Sequence, residues 1–152
     1  MSFKTEISFC LDLTFEEIDM EEKTFKDLLN TNLLPFAFVG DSIHTAFVRE
    51  YCLSNPHHKM QNYHSMASFY CKASSQAKAL EGLHEVLTDE EKEIVRRGRN
   101  AKPKHQAKNA STAEYSHSTA FEVLIGYLHL SGQKQRLDEI LNLSIKILDK
   151  RD

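Results

Sequence analysis

Two carboxylates stand out because of where they sit. Asp41 follows Gly40 inside the apolar segment FAFVGDSIHTAF, and Glu122 lies inside STAFEVLIGYLHL, the other strongly apolar stretch of the chain. Ala37 and Thr45 are four residues to either side of Asp41; Ser118 and Gly126 are four to either side of Glu122, with Thr119 three before it. Residues three and four apart share a helix face, so each acid belongs to a face of small residues where two helix backbones can approach closely. An unpaired carboxylate in such a place is costly to ionise. A divalent cation between the two would remove that cost. Mg²⁺ suits them, because it takes one or two protein carboxylates and fills its octahedral shell with waters and phosphate oxygens. The spacing also allows a plainer arrangement, each acid half-exposed or paired with Lys or Arg.

Directly before the Glu122 segment lies a run of one sign. Residues 96–108, RRGRNAKPKHQAK, hold six Lys or Arg and no acid, although the chain as a whole carries −3. A flexible cationic loop beside a Mg²⁺ site is what a phosphodiester substrate requires, the cations on phosphates and the metal on one of them. A solvated surface loop has the same composition. Other catalytic templates are absent: there is no H-E-x-x-H, no His-Asp dipeptide, no Gly-rich phosphate loop and no G-x-S-x-G elbow. His44, one turn after Asp41, reads as a polar neighbour, and His64 and His117 are treated alike. Cys10, Cys52 and Cys71, odd in number and without a C-x-x-C pair, read as small core residues.

These side chains need helices to position them. The spacing of Phe15, Ile18, Phe25, Leu28 and Leu29 predicts an amphipathic first helix over 14–30, opened by a Thr14/Glu17 capping box. It lies in an acidic stretch, since residues 1–30 hold eight Asp or Glu against three Lys. Pro35 suits the first turn of a second helix carrying Asp41 to about residue 51. Residues 60–71 read as a third, Ser74 as the cap of a fourth, and Thr88 with Glu91 as the capping box of a fifth that ends near Gly98. Residues 114–130 form a long central helix, and Leu137, Ile140, Leu141, Ile145 and Leu148 a last amphipathic one. Without sustained alternation the fold class is all-α, about six to seven helices. The expected organisation is an acidic extension over 1–31 and a catalytic domain over 32–152. The start MSFKTEISFC lacks the pattern of a secretory signal, and the apolar run near 123–130 is far short of the ~20 residues of a membrane span. A cytoplasmic protein without membrane attachment is the expectation.

At this point the motifs resemble a known family. FVGDSI is similar to the signature helix of ribonuclease III, and STAFEVLIGYLHL to its second metal-binding helix. RRGRNAK, then Lys108 and Asn109, then Tyr115 leading into STAFEVLIGYL, resemble the Mini-III ribonucleases, short members without a separate double-stranded RNA-binding domain. The resemblance runs from about residue 33 to 145. It implies a homodimeric all-helical endoribonuclease that cleaves double-stranded RNA by metal-dependent hydrolysis, leaving 5′-phosphate and 3′-hydroxyl ends. The implied substrate is precursor 23S ribosomal RNA, with a ribosomal protein or pre-ribosome as a further partner. Carried over by position, Asp41 and Glu122 are the catalytic metal ligands for Mg²⁺, with Mn²⁺ as a substitute. Arg97, Arg99, Asn100, Lys102, Lys104, Lys108 and Asn109 fall in the segment that engages RNA, and Ser118 and Thr119 are placed to order metal-bound waters. Full-length ribonuclease III has further acids where this chain has Ala37 and Thr119, a reduction the Mini-III enzymes share. The alternatives are a non-catalytic RNA-binding or ribosome-assembly module of the same fold, or an all-helical metal-dependent phosphohydrolase.

Overall fold

The computed structural model describes residues 20–56, 58–101 and 112–150. Seven α-helices follow one another: α1 Glu22–Thr31, α2 Leu34–Leu53, α3 Met60–Cys71, α4 Ala73–Leu83, α5 Asp89–Asn100, α6 Thr112–Leu130 and α7 Lys134–Asp149, with a 3-10 turn His84–Val86 before α5. No strand occurs among the described residues. None of these helices is long and apolar enough to cross a membrane.

The hydrophobicity of α6 on all sides makes it the centre. From Ser118 to Leu128 every residue except Glu122 is buried, and α2, α4, α5 and α7 pack around it. Helix α2 offers it one stripe, Phe36, Ala37, Gly40, His44, Val48 and Cys52, with the three-and-four spacing of a core-facing helix. Two glycines set the α2–α6 distance. A Cβ on Gly40 would stand 1.8 Å from the Glu122 carbonyl oxygen, and one on Gly126 would stand 1.9 Å from that of Phe36. Each backbone thus rests in the gap left by the other helix's missing side chain.

Polar contacts fix the outer helices. Thr88 and Glu91 form a capping box at the start of α5, the Thr88 hydroxyl accepting from the Glu91 amide at 3.1 Å and the Glu91 carboxylate from the Thr88 amide at 2.9 Å. The same carboxylate receives Arg136 of α7 at 2.8 Å. Burial alone would raise the Glu91 pKa, but the Arg136 and Thr88 hydrogen bonds hold it below the usual value. At the far end of α7, Asp149 accepts from the Tyr51 hydroxyl at 2.8 Å and the Tyr70 hydroxyl at 2.6 Å, tying α2, α3 and α7 together.

The structure departs from the sequence reading at three helix ends. Met20 and Glu21 belong to no helix, so α1 begins at Glu22 rather than running through from residue 14; the Thr14/Glu17 capping box lies outside the described residues. Among the described residues of this segment Phe25, Leu28 and Leu29 pack against the core, and the Phe25 ring meets Phe36 at 5.6 Å and Tyr127 at 6.3 Å. Helix α4 begins at Ala73, ahead of Ser74, with Lys72 at the cap position; it is the Ser75 hydroxyl that bonds back to the Phe69 carbonyl. Helix α5 continues past Gly98 to Asn100, so the first residues of the basic run are helical, with two arginines in the last turn where cations complement the helix dipole.

Candidate metal and substrate site

Helices α2 and α6 bring Asp41 and Glu122 together at their closest crossing. The Gly40 backbone lies against the Glu122 backbone, and Asp41 is the next residue. Burial first, then the charge of Asp41, pushes the Glu122 carboxyl up to about 7. Neither acid forms an ion pair among the described residues, so the plainer Lys or Arg pairing is not what occupies them there. Burial, by contrast, follows the half-exposed part of that plainer arrangement rather than a buried pair. Asp41 is exposed, because Gly40 takes the core-facing position and Asp41 falls at the edge of that stripe, and the burial cost falls on half-buried Glu122.

Around Glu122 lies a polar network in an otherwise apolar interior. The Gln76 amide nitrogen of α4 is 3.1 Å from His44 Nδ1, its oxygen accepts from the Ser118 hydroxyl at 2.5 Å, and the nearby amide partly offsets the rise in the Glu122 pKa. His44 stacks edge-on against Phe121 at 4.8 Å, and burial lowers its pKa to about 4, so it is a neutral core residue, in keeping with the sequence reading. Ser118 is committed to Gln76, and Thr119 is buried beside it.

Two carboxylates at one helix crossing, with no ion-pair partner for either among the described residues, are the kind of oxygen donors Mg²⁺ takes. Among the described residues no group of three or more His, Cys, Asp and Glu side chains is placed to hold a metal. A carboxylate pair that leaves most of the shell to water and substrate oxygens matches the preference of Mg²⁺ rather than that of zinc.

The basic residues divide between two faces. Arg97 donates to the Leu29 carbonyl near the end of α1 at 2.5 Å, and together with Asn100 it lines a depression beside Thr31 and Asn32. Arg99 turns the other way, into a groove of about 660 Å³ between α4, α5 and the start of α6, lined by the basic Lys78, His84, Lys92 and His117 and by the acidic Glu81, Glu85 and Glu114. Lys102, Lys104, Lys108 and Asn109 lie outside the described residues.

Two features escaped the sequence reading. Gln76 heads the buried α4 stripe of Ala79, Leu80 and Leu83; an amide at the i position of an i, i+3, i+4, i+7 apolar pattern was the available signal. Phe38 is 81% exposed, one turn before Asp41, and a segment pattern cannot tell an apolar residue facing out from one facing in.

Comparison with known proteins agrees with this arrangement. The Ribonuclease III domain family matches residues 34–133. The Mini-ribonuclease 3 of Symbiobacterium thermophilum is 42% identical over 77% of this chain and 90% of its own length. That of Enterococcus faecalis is 42% identical over 80% and 93%, and that of Staphylococcus aureus 38% identical over 88% and all of its length. The crystal structure of a Fusobacterium nucleatum protein superposes with a TM-score of 0.71 at 26% identity, covering 79% of this chain and 96% of that one. Fold, motif order and near-complete coverage together place the chain in the ribonuclease III family, of the Mini-ribonuclease 3 type, and make it an endoribonuclease.

Proposed function

We propose that this endoribonuclease cleaves double-stranded RNA by metal-dependent hydrolysis, with Asp41 and Glu122 as its catalytic metal ligands. The observation that carries the reading is the pair itself: two carboxylates meeting at the α2–α6 crossing, with no ion-pair partner for either among the described residues. A bound Mg²⁺, or Mn²⁺ in its place, supplies an activated water and charge stabilisation for phosphodiester hydrolysis. Asp41, exposed at the edge of α2, opens the pair to substrate; Glu122, set deeper, anchors it. Ser118 and Thr119 lie on the turn before Glu122, where they could order metal-bound waters, and Ser118 donates to Gln76. No protein nucleophile is required, and the expected products carry 5′-phosphate and 3′-hydroxyl ends.

Duplex RNA is read mainly by shape, through phosphates and 2′-hydroxyls. Arg99 and its groove, with Lys102, Lys104, Lys108 and Asn109 from the adjoining segment, supply the cations. Arg97 and Asn100 contribute from the opposite face. We infer a homodimer from the resemblance to Mini-III enzymes, which places two carboxylate pairs on the two strands. The resemblance to Mini-III enzymes supports a cytoplasmic role in maturing precursor 23S ribosomal RNA, with a ribosomal protein or pre-ribosome as a further partner.

The test is a Mg²⁺ digest of one RNA sequence presented as duplex and as single strand. Cleavage of the duplex to 5′-phosphate ends, with the single strand intact, is expected. Binding without cleavage in Mg²⁺ and Mn²⁺ would refute the reading.

A further inference from the structure

Opposite charges cancel in the groove between α4, α5 and the start of α6. Helix α4 and the turn after it supply Lys78, Glu81, His84 and Glu85; α5 supplies Lys92 and Arg99; α6 supplies Glu114 and His117, over a floor that includes buried Leu80 and Val95. Lys, Arg and Glu side chains ordinarily keep their charge between about pH 5.5 and about pH 8, so three cations stand against three carboxylates throughout that range. A phosphate meets no net charge in this groove while its imidazoles are neutral. Imidazole is the side chain whose charge changes there, and the two histidines are held differently. His84 is exposed in the 3-10 turn. His117 is half-buried, with Nδ1 2.6 Å from the Ala113 carbonyl oxygen. A carbonyl only accepts, so Nδ1 keeps its proton in both charge states and Nε2 is the atom that gains one. None of Lys78, Lys92 and Arg99 forms an ion pair among the described residues. The groove also lies close to the metal candidates, since His117 precedes Glu122 by five residues of α6, about 7.5 Å along the helix axis.

We propose that His84 and His117 make this groove a pH-dependent phosphate subsite for duplex RNA: with both imidazoles protonated, a charge-balanced groove becomes one with a net charge of +2. This inference rests on the reading of the chain as an enzyme that acts on double-stranded RNA, and names the groups that set how firmly one part of it holds phosphate. Each protonated imidazole adds a phosphate contact and releases a counterion. RNA binding through the groove therefore tightens as pH falls, and its salt dependence steepens with it.

The experiment uses full-length protein, a labelled duplex RNA and EDTA, which prevents metal-dependent cleavage, and measures affinity by fluorescence anisotropy at about pH 5.5 and about pH 8 over a range of salt. The parent is compared with His84→Gln/His117→Gln, with His84→Lys/His117→Lys, and with His64→Gln on α3, outside the groove; each is checked for folding by circular dichroism. Glu122 titrates within this range in all of them, so the readout is the difference from the parent. The gain in affinity from the higher to the lower pH should be about 10-fold larger for the parent than for the glutamine pair, about threefold per histidine, the scale of an exposed ion pair. At the lower pH the log-log salt slope of the parent should exceed that of the glutamine pair by nearly one per histidine. The lysine pair, charged at both pH values, should bind about 10-fold more tightly than the parent at about pH 8, and His64→Gln should keep the parental pH dependence. A folded glutamine pair with the parental pH dependence overturns the proposal, and so does a His64→Gln protein that loses as much of it as the glutamine pair does. If the glutamine pair does not fold, the lysine pair decides, and parental affinity at the higher pH overturns the proposal. If the parent binds duplex RNA at neither pH, the reading as a double-stranded RNA enzyme fails and the subsite falls with it.

Discussion

Replacing Gly40 with Ala tests how the two metal-candidate helices are held. The added Cβ would lie 1.8 Å from the Glu122 carbonyl oxygen and 2.7 Å from its carbon, where side-chain carbons essentially never come under 3.0 Å. Both partners are backbone, so no rotamer change relieves the clash, and α2 must move from α6 by more than an ångström. Overpacking a core typically costs 1–3 kcal/mol and sometimes more; alanine returns up to about 1 kcal/mol through its better helix propensity. We expect a net loss of about 3 kcal/mol, which lowers the midpoint by about 6–12 °C in a chain of this size. Because the same shift displaces Asp41 from Glu122, the molecules that remain folded should lose about 100-fold in cleavage rate, as misplacement of reacting groups by an ångström can do. Gly82→Ala is the comparison: the three atoms nearest its Cβ all belong to the Ile147 side chain, so the clash is with a side chain rather than with backbone and should cost less than Gly40→Ala. The assay is urea and thermal unfolding followed by circular dichroism at one protein concentration. A Gly40→Ala protein within about 1 kcal/mol of the parent, or no worse than Gly82→Ala, would refute the close-packed crossing.

Two further outcomes follow from the site. Burial and the charge of Asp41 raise the Glu122 carboxyl from 4.5 to about 7 on folding, so the folded protein holds that proton more tightly, and metal-free stability falls as pH climbs through this window. Glu122→Gln lacks that loss: its midpoint relative to the parent should rise between about pH 5 and about pH 8, and a pH-independent difference would contradict the assignment. Arg97→Ala removes a hydrogen bond to the end of α1 and should cost stability by about 1–3 kcal/mol, whereas Arg99→Ala should leave stability unchanged but weaken duplex RNA binding and flatten its salt dependence. Equal effects of the two on RNA affinity would sink this division.

Helix identities were legible because their causes are local. The Thr88/Glu91 capping box and the apolar run through Glu122 each appear in a single segment, and so does the Gly40–Asp41 step. What escaped depends on neighbours far along the chain. Arg97 and Arg99 are indistinguishable in the string RRGRN, and only the packing of α1 on α5 sends one to a carbonyl and the other to a groove. Gln76 gains its meaning from His44 and Ser118, more than thirty residues away in either direction.

The central claim is that Asp41 and Glu122 together hold the metal that cuts duplex RNA. Its most direct test is the single-turnover cleavage rate of a duplex RNA in saturating Mg²⁺ for the parent, Asp41→Asn and Glu122→Gln, each shown to be folded and to bind the RNA. The account predicts that both variants bind the duplex like the parent and cut it at least about 100-fold more slowly, because each has lost a metal ligand. Parental cleavage by either folded variant would contradict it.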